Sequence, residues 1–304
     1  MSEKLSSYNT AVEATNALAP FYQEKAVAKI QEANARKSWV ALLNAAGADP
    51  DPLTLEWFTA VSPYEAKTGI TGALESGVEN GLLTGNEEDG YLLAEKGRLV
   101  LAAFFDTAQE LIAKAPALEE AEMGKLVAYL QRLSTAAKEA SEPSAKPNLE
   151  SSLWTLPGPD APPVVLVDQY ITDLRSFRDD AHITAWQQFG INGRTWETLT
   201  YLWNEEAHNA GELREKLERR AFSEEDYAGS LATLSNKGWA VQSGDNWQIT
   251  EAGRAVRQAG EDETDRIFFA GWTVLNENEI NELHDLLQRW LQKIKEETPA
   301  AEPA

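Results

Sequence analysis

Residues 223–250, SEEDYAGSLATLSNKGWAVQSGDNWQIT, decide the fold. Ser223 is a helix N-cap, Glu224 and Glu225 lie in the first turn where the helix dipole favours acids, and Asp226 closes the cap three residues on. Tyr227, Leu231 and Leu234 then share one helical face, and Lys237-Gly238 ends the helix. Trp239–Gln242 and Trp247–Thr250 read as two short strands around the turn Ser243-Gly244-Asp245-Asn246. Upstream, Trp196, Leu199, Leu202 and Trp203 have helical spacing. Asn209 can cap a helix over 210–220 with Leu213 and Leu217 inward. Downstream, Thr250-Glu251-Ala252-Gly253-Arg254 opens another helix. Three helices followed by a hairpin are the plan of a winged helix-turn-helix.

The chain repeats this plan. At an offset of 157, Ser38-Trp39 falls on Thr195-Trp196 and Asn80-Gly81-Leu82 on Lys237-Gly238-Trp239. After a one-residue gap, Glu95-Lys96-Gly97-Arg98 falls on Glu251-Ala252-Gly253-Arg254. Leu130-Gln131-Arg132 falls on Leu287-Gln288-Arg289, again at 157. Constant spacing predicts a duplication. The first unit has a helix at Trp39–Leu43, a second near Leu53–Val61, and a third starting at Ser62-Pro63-Tyr64-Glu65, with Ser as cap and Pro at the first helical position. Gly69, Gly72 and Gly77 predict that this helix is kinked or closely packed. Leu82–Thr84 and Tyr91–Leu93 form its hairpin. Each unit ends in an amphipathic helix, with Leu126, Val127, Leu130 and Leu133 in the first. Ile280, Leu283, Leu286, Leu287, Trp290, Leu291 and Ile294 make the stripe of the second. A stripe this wide must be covered, and pairing of the two helices is one way to cover it. The expected layout is a first unit over 1–141, a Pro-rich, extended linker over 142–162, a second unit over 163–297, and a frayed tail over 298–304.

Composition narrows the function. The 304 residues hold 27 Lys+Arg against 49 Asp+Glu, a formal charge of −22. There is no Cys, which excludes disulfide frameworks, thiolate metal sites and thiol nucleophiles. No leader of the basic-then-apolar kind opens the sequence, and no apolar run approaches the ~20 residues that span a bilayer. The charge argues against DNA and anionic membranes as partners.

The second unit resembles winged helix-turn-helix proteins of the MarR/SalK type. The residues that carry the resemblance are Ser223-Glu224-Glu225-Asp226-Tyr227, Lys237-Gly238-Trp239 and Ile249-Thr250-Glu251-Ala252-Gly253-Arg254, then Glu263-Thr264-Asp265 and Trp272. Phe177-Arg178-Asp179-Asp180-Ala181-His182, leading to Trp186 and Trp196, adds to it. The resemblance covers about 170–295. It implies cytoplasmic bacterial transcription factors, often dimers, that bind double-stranded DNA with the third helix and wing and can sense small aromatic ligands.

Carried onto this chain, a DNA face would use Lys67, Thr68, Thr71, Arg194, Arg214, Arg219, Lys237 and Arg254. The charges conflict with that expectation. Lys67 is the only cation near the first unit's third helix and wing until Lys96, against six acids from Glu65 to Asp89. Lys237 stands alone against Glu224, Glu225, Asp226 and Asp245. Arg214, Lys216, Arg219 and Arg220 interleave with Glu212, Glu215 and Glu218, the pattern of a solvated helix face. A groove assembled from Arg194, Arg214, Arg219, Arg254 and Arg257 would restore a DNA surface.

Catalytic motifs are absent: no phosphate-binding glycine loop, no nucleophile elbow and no His-Glu-x-x-His. Asp179, Asp180 and His182 are the best polar constellation, read as a structural network rather than as a catalytic or metal site. Asn86–Gly90 is an acidic hairpin tip without the ligand alternation of a calcium loop. Eight of ten Trp lie at or beyond Trp154. Trp186, Trp196, Trp203, Trp239, Trp247 and Trp272 are expected in the second core, with Trp186, Trp203 and Trp272 available to line a pocket for a flat apolar ligand. The fold expected is therefore mostly α with short β-hairpins: tandem duplicated winged helix-turn-helix domains, paired within one chain or as a homodimer. No enzyme activity, metal or cofactor is expected. Two functions remain: a DNA-binding, ligand-responsive regulator, or an acidic adaptor or ligand sensor that keeps the fold without binding DNA.

Overall fold

The computed structural model describes residues 3–153, 157–158 and 160–298. The first half runs α1 (Glu3–Glu32), α2 (Trp39–Ala48), α3 (Leu55–Val61), α4 (Lys67–Glu79), β1 (Leu83–Asn86), β2 (Gly90–Leu93), α5 (Glu95–Ile112) and α6 (Glu120–Glu139). A short helix α7 (Pro147–Leu153) follows. The second half runs α8 (Pro163–Gln187), α9 (Gly193–Trp203), α10 (Ala210–Lys216), α11 (Glu224–Asn236), β3 (Ala240–Ser243), β4 (Asn246–Ile249), α12 (Glu251–Ala270) and α13 (Glu277–Glu297). The order of helices and strands is thus the same in both halves. Each hairpin is a separate two-stranded antiparallel sheet, pairing Leu83 with Leu93 and Ala240 with Ile249 at its base. No helix among the described residues is long and apolar enough to cross a membrane.

Local chemistry explains the second unit. Asn192, Asn209, Ser223 and Thr250 each accept a backbone N–H at the start of a helix, and Ser223 with Asp226 forms the full reciprocal box. The first unit departs from expectation at its third helix. Ser62 ends α3, its N–H bonded to Phe58 O, and α4 starts only at Lys67. The N–H of Ala66 goes to the carbonyl of Arg220 at 2.9 Å instead. A contact with the other unit has overridden the Ser-Pro start signal. The segment expected to be an extended linker is also partly helical, at α7, which packs on α8 and α2. The frayed tail beyond Thr298 lies outside the described residues.

Three cores divide the molecule. Two belong to the units: one holds Leu42, Phe58, Leu74 and Leu101, the other Trp186, Trp196, Tyr227 and Leu231. The third is shared by both halves. It gathers α1, α5, α6, α7, α8, α12 and α13 around Leu18, Leu126, Ile171, Phe268 and Trp290. Here the helices exchange partners: α13 packs most extensively on α1 and α6 on α8. The two terminal stripes are therefore covered mainly by the opposite half's first helix. Direct meeting of α6 and α13 is a polar seam. Arg132 binds Glu279 at 2.6 Å and Arg289 binds Glu122 at 2.5 Å. These are the same pair reciprocated, since 132 + 157 = 289 and 122 + 157 = 279. Lys125 and Glu282, themselves 157 apart, meet at 2.5 Å. A residue touching its own counterpart, flanked by reciprocal pairs, is the signature of a two-fold axis.

The repeated glycines have one physical reason. A Cβ on Gly97 would lie 2.2 Å from Leu82 O, and one on Gly253 would lie 2.2 Å from Trp239 O. In each half the helix after the hairpin rests directly on the backbone that precedes it. Gly229, in α11, faces open space. Gly253→Ala should cost about 1–3 kcal/mol through forced backbone movement, whereas Gly229→Ala should gain up to about 1 kcal/mol. Urea denaturation of both variants checks this; equal effects would contradict the packing argument.

Candidate functional site

The elements expected from the sequence to form a DNA face are α4 with β1–β2 and α11 with β3–β4. On α4 the exposed side chains include Lys67, Thr68, Glu75 and Glu79, while Thr71 is half-buried. Lys67 is tied to Glu87 of the hairpin tip at 3.1 Å. That tip is ordered by Asn86, whose Oδ1 accepts the N–H groups of Glu88 and Asp89 at 2.8 and 3.0 Å. On α11 the exposed positions are Glu224, Glu225, Ala228, Gly229, Ala232, Ser235 and Asn236, none of them cationic.

Three arginines of the expected basic groove are engaged within the chain. Arg194 binds Asp226 at 2.5 Å and Ser230 at 3.0 Å, with its guanidinium 4.9 Å from the Phe222 ring centre. Arg254 reaches Glu205 at 3.5 Å. Arg257 is buried, bonded to Glu261 and Thr200 and placed between Trp196 and Trp203. Lys237 donates to Phe189 O and covers Trp239. Of the cations proposed for DNA, Arg214, Arg219 and Lys237 are exposed without an ion pair among the described residues.

The tryptophans also separate. Trp186 lies in the second unit's core, stacked on Trp196, and donates to Tyr64 Oη of the first unit at 2.7 Å. Trp203 lies beside Arg257. Trp272 belongs to the central core, against Phe268 and Phe269, because the turn after α12 delivers it to the shared interface rather than to its own unit.

The Asp179-Asp180-His182 stretch diverges into three environments. Asp180 accepts the N–H groups of Asn148 and Leu149 at 3.0 Å each and so holds the start of α7. Burial pushes its carboxyl up to about 6. Asp179 is pushed up by burial as well. His182 Nε2 accepts the indole N–H of Trp196 at 3.1 Å. Its proton must therefore sit on Nδ1, which faces Thr264 Oγ1 at 3.2 Å. Thr264 in turn donates to Gly260 O at 2.7 Å. Burial holds the His182 imidazole down at about 4. Among the described residues no group of three or more potential ligands could hold a metal ion.

Sequence reasoning missed the place where the two units meet. Arg220 donates to Glu65 at 2.6 Å and to Glu197 at 2.9 Å, while its carbonyl receives Ala66 N–H and its guanidinium lies 5.5 Å from the Tyr64 ring centre. Burial raises the Glu197 carboxyl despite that partner. Beside this latch opens a cleft of about 480 Å³, walled by α2, α3 and α4 of one unit and by α9 and the end of α10 of the other. Its size is that of a small-molecule site. Its sequence signal was the cation run 214–220, which reads locally as a solvated face because its partners come from a distant part of the chain.

His182 should stay neutral well below the ordinary imidazole range. Its depressed value favours the fold above about 6.5 and loses that contribution as pH falls through about 4. The raised Asp180 acts oppositely, favouring the fold at low pH and losing that contribution as pH rises through about 6. Overall stability therefore mixes the two, and imidazole ¹⁵N shifts isolate His182. They should report a neutral Nδ1–H ring down to pH about 5; titration near 6.5 would contradict the buried chain of bonds.

A model of the Helix-turn-helix family matches residues 93–300, about two thirds of the chain. The match takes in α5 to α13, including the whole three-helix and hairpin arrangement of the second half. No curated protein and no solved structure matches the chain.

Proposed function

The chain belongs to the helix-turn-helix family, and from that premise we propose a winged helix-turn-helix protein of MarR/SalK kind whose two winged units arose by duplication. In this reading it senses a small ligand between the units and does not read DNA. One observation carries it: several of the cations that a DNA-reading surface requires are bound to acids of the same chain. Lys67, Arg194 and Arg254 each have a carboxylate partner, and Arg257 is buried with Glu261. Each such pair removes a cation from phosphate contact, and the exposed acids of α4, α11 and the first hairpin tip repel the backbone. The residue before α4, Ala66, is tied to Arg220 of the other unit, so the start of the first unit's third helix is anchored beside that unit.

No catalysis forms part of this reading. The acidic surface leaves room for a protein partner, and the ligand site moves from the tryptophans to the cleft. A second reading, a double-stranded DNA regulator, draws on the unpaired Arg214 and Arg219. Gel retardation decides between them. At low salt, micromolar protein should leave random-sequence and own-promoter duplexes unshifted. A retarded band that weakens steeply with salt would establish DNA binding instead.

A further inference from the structure

We propose that the cleft between the two units binds an organic anion with at least two negative charges on an apolar body, in chemical class an aryl or alkyl phosphate. This rests on the ligand-sensing reading above. The cleft is lined by Lys37, Lys216, Arg219 and Arg220 against Glu65 and Glu197. Four cations less two acids leave +2, in a chain whose net charge is −22. A local excess of positive charge in so acidic a molecule needs a reason. Arg220 is satisfied, because both acids bind it. The side chains of Lys37, Lys216 and Arg219, exposed at the cleft, make no ion pair or hydrogen bond among the described residues. Most other cations of the chain have found a carboxylate, and these three converge on one cavity without one.

The three come from both halves. Lys37 precedes α2, Lys216 ends α10, and Arg219 follows it. An anion between them would tie one unit to the other, at the latch already made by Arg220. Charge-assisted hydrogen bonds from Lys and Arg are the usual means of holding phosphate. Val40, half-exposed, and Ala73 supply an apolar wall, which inorganic phosphate alone would not use.

Isothermal titration of the full chain with phenyl phosphate, above its second ionisation, tests the proposal, with inorganic phosphate and benzyl alcohol alongside. Saturable one-site binding is expected for phenyl phosphate, at least about tenfold tighter than for inorganic phosphate, and none for benzyl alcohol. Lys216→Glu with Arg219→Glu should weaken binding by about 100-fold, one factor of ten for each lost charge-assisted bond. Lys37→Glu is an independent variant from the other unit and should weaken it about tenfold. Arg214→Glu, outside the cleft, should leave it unchanged. All four positions are exposed, so circular dichroism should show native folds. Absence of saturable binding at millimolar phenyl phosphate would overturn the proposal. So would equal affinity for inorganic phosphate, or an equal loss in Arg214→Glu. Such a failure would leave the absence of DNA binding standing, because gel retardation decides that separately.

Discussion

The exchange of helices at the central core is the constraint on which the rest of the molecule depends. The α13 stripe buries seven large apolar side chains, Ile280, Leu283, Leu286, Leu287, Trp290, Leu291 and Ile294. At about 1.5–3 kcal/mol each, that is on the order of 10–20 kcal/mol before chain entropy is subtracted. Its chief partner is α1, at the opposite end of the chain. Neither half can satisfy its own last helix in this arrangement. The reciprocal ion pairs on the seam are partly exposed and add little stability of their own. Their service is to fix register: a slip of either helix would bring Glu122 and Glu279 out of reach of Arg289 and Arg132.

That central core also sets what the outer units can do. Holding the two three-helix units side by side brings residues 62–66 onto Arg220 and creates the cleft. The same juxtaposition ties the residue before the first unit's third helix to the other unit. The proposed anion site and the anchored start of α4 thus arise from one geometry. Acids stand on the exposed face of α4 and in the first turn of α11, while unpaired cations line the cleft.

Much of the second unit was legible because its signals are local. Ser223 with Asp226 encodes a helix start within four residues, and the Trp239–Thr250 hairpin carries its own turn. The terminal stripes were legible for the same reason, but not their partners. The α1 and α8 helices are contacted on several sides, so their apolar residues spread around the axis and leave no stripe to read. Small residues on α1, namely Ser7, Ala11, Ala14 and Ala26, are buried without looking like core. The start of α4 was misplaced because Ser62-Pro63 is a sound local cap signal, overruled by a hydrogen bond to a residue 154 positions away, 220 − 66. Arg220 likewise looked solvated, since Glu65 and Glu197 are distant in sequence. Trp272 fell in the shared core for the same reason.

The apolar faces of both terminal helices, α6 and α13, are covered within a single chain. Light scattering coupled to size exclusion measures this directly. A mass near 33.5 kDa is predicted, because the apolar faces of α6 and α13 are already covered inside the chain. A concentration-independent mass of about 67 kDa, 2 × 33.5, would show that those faces pair between molecules and would contradict the account.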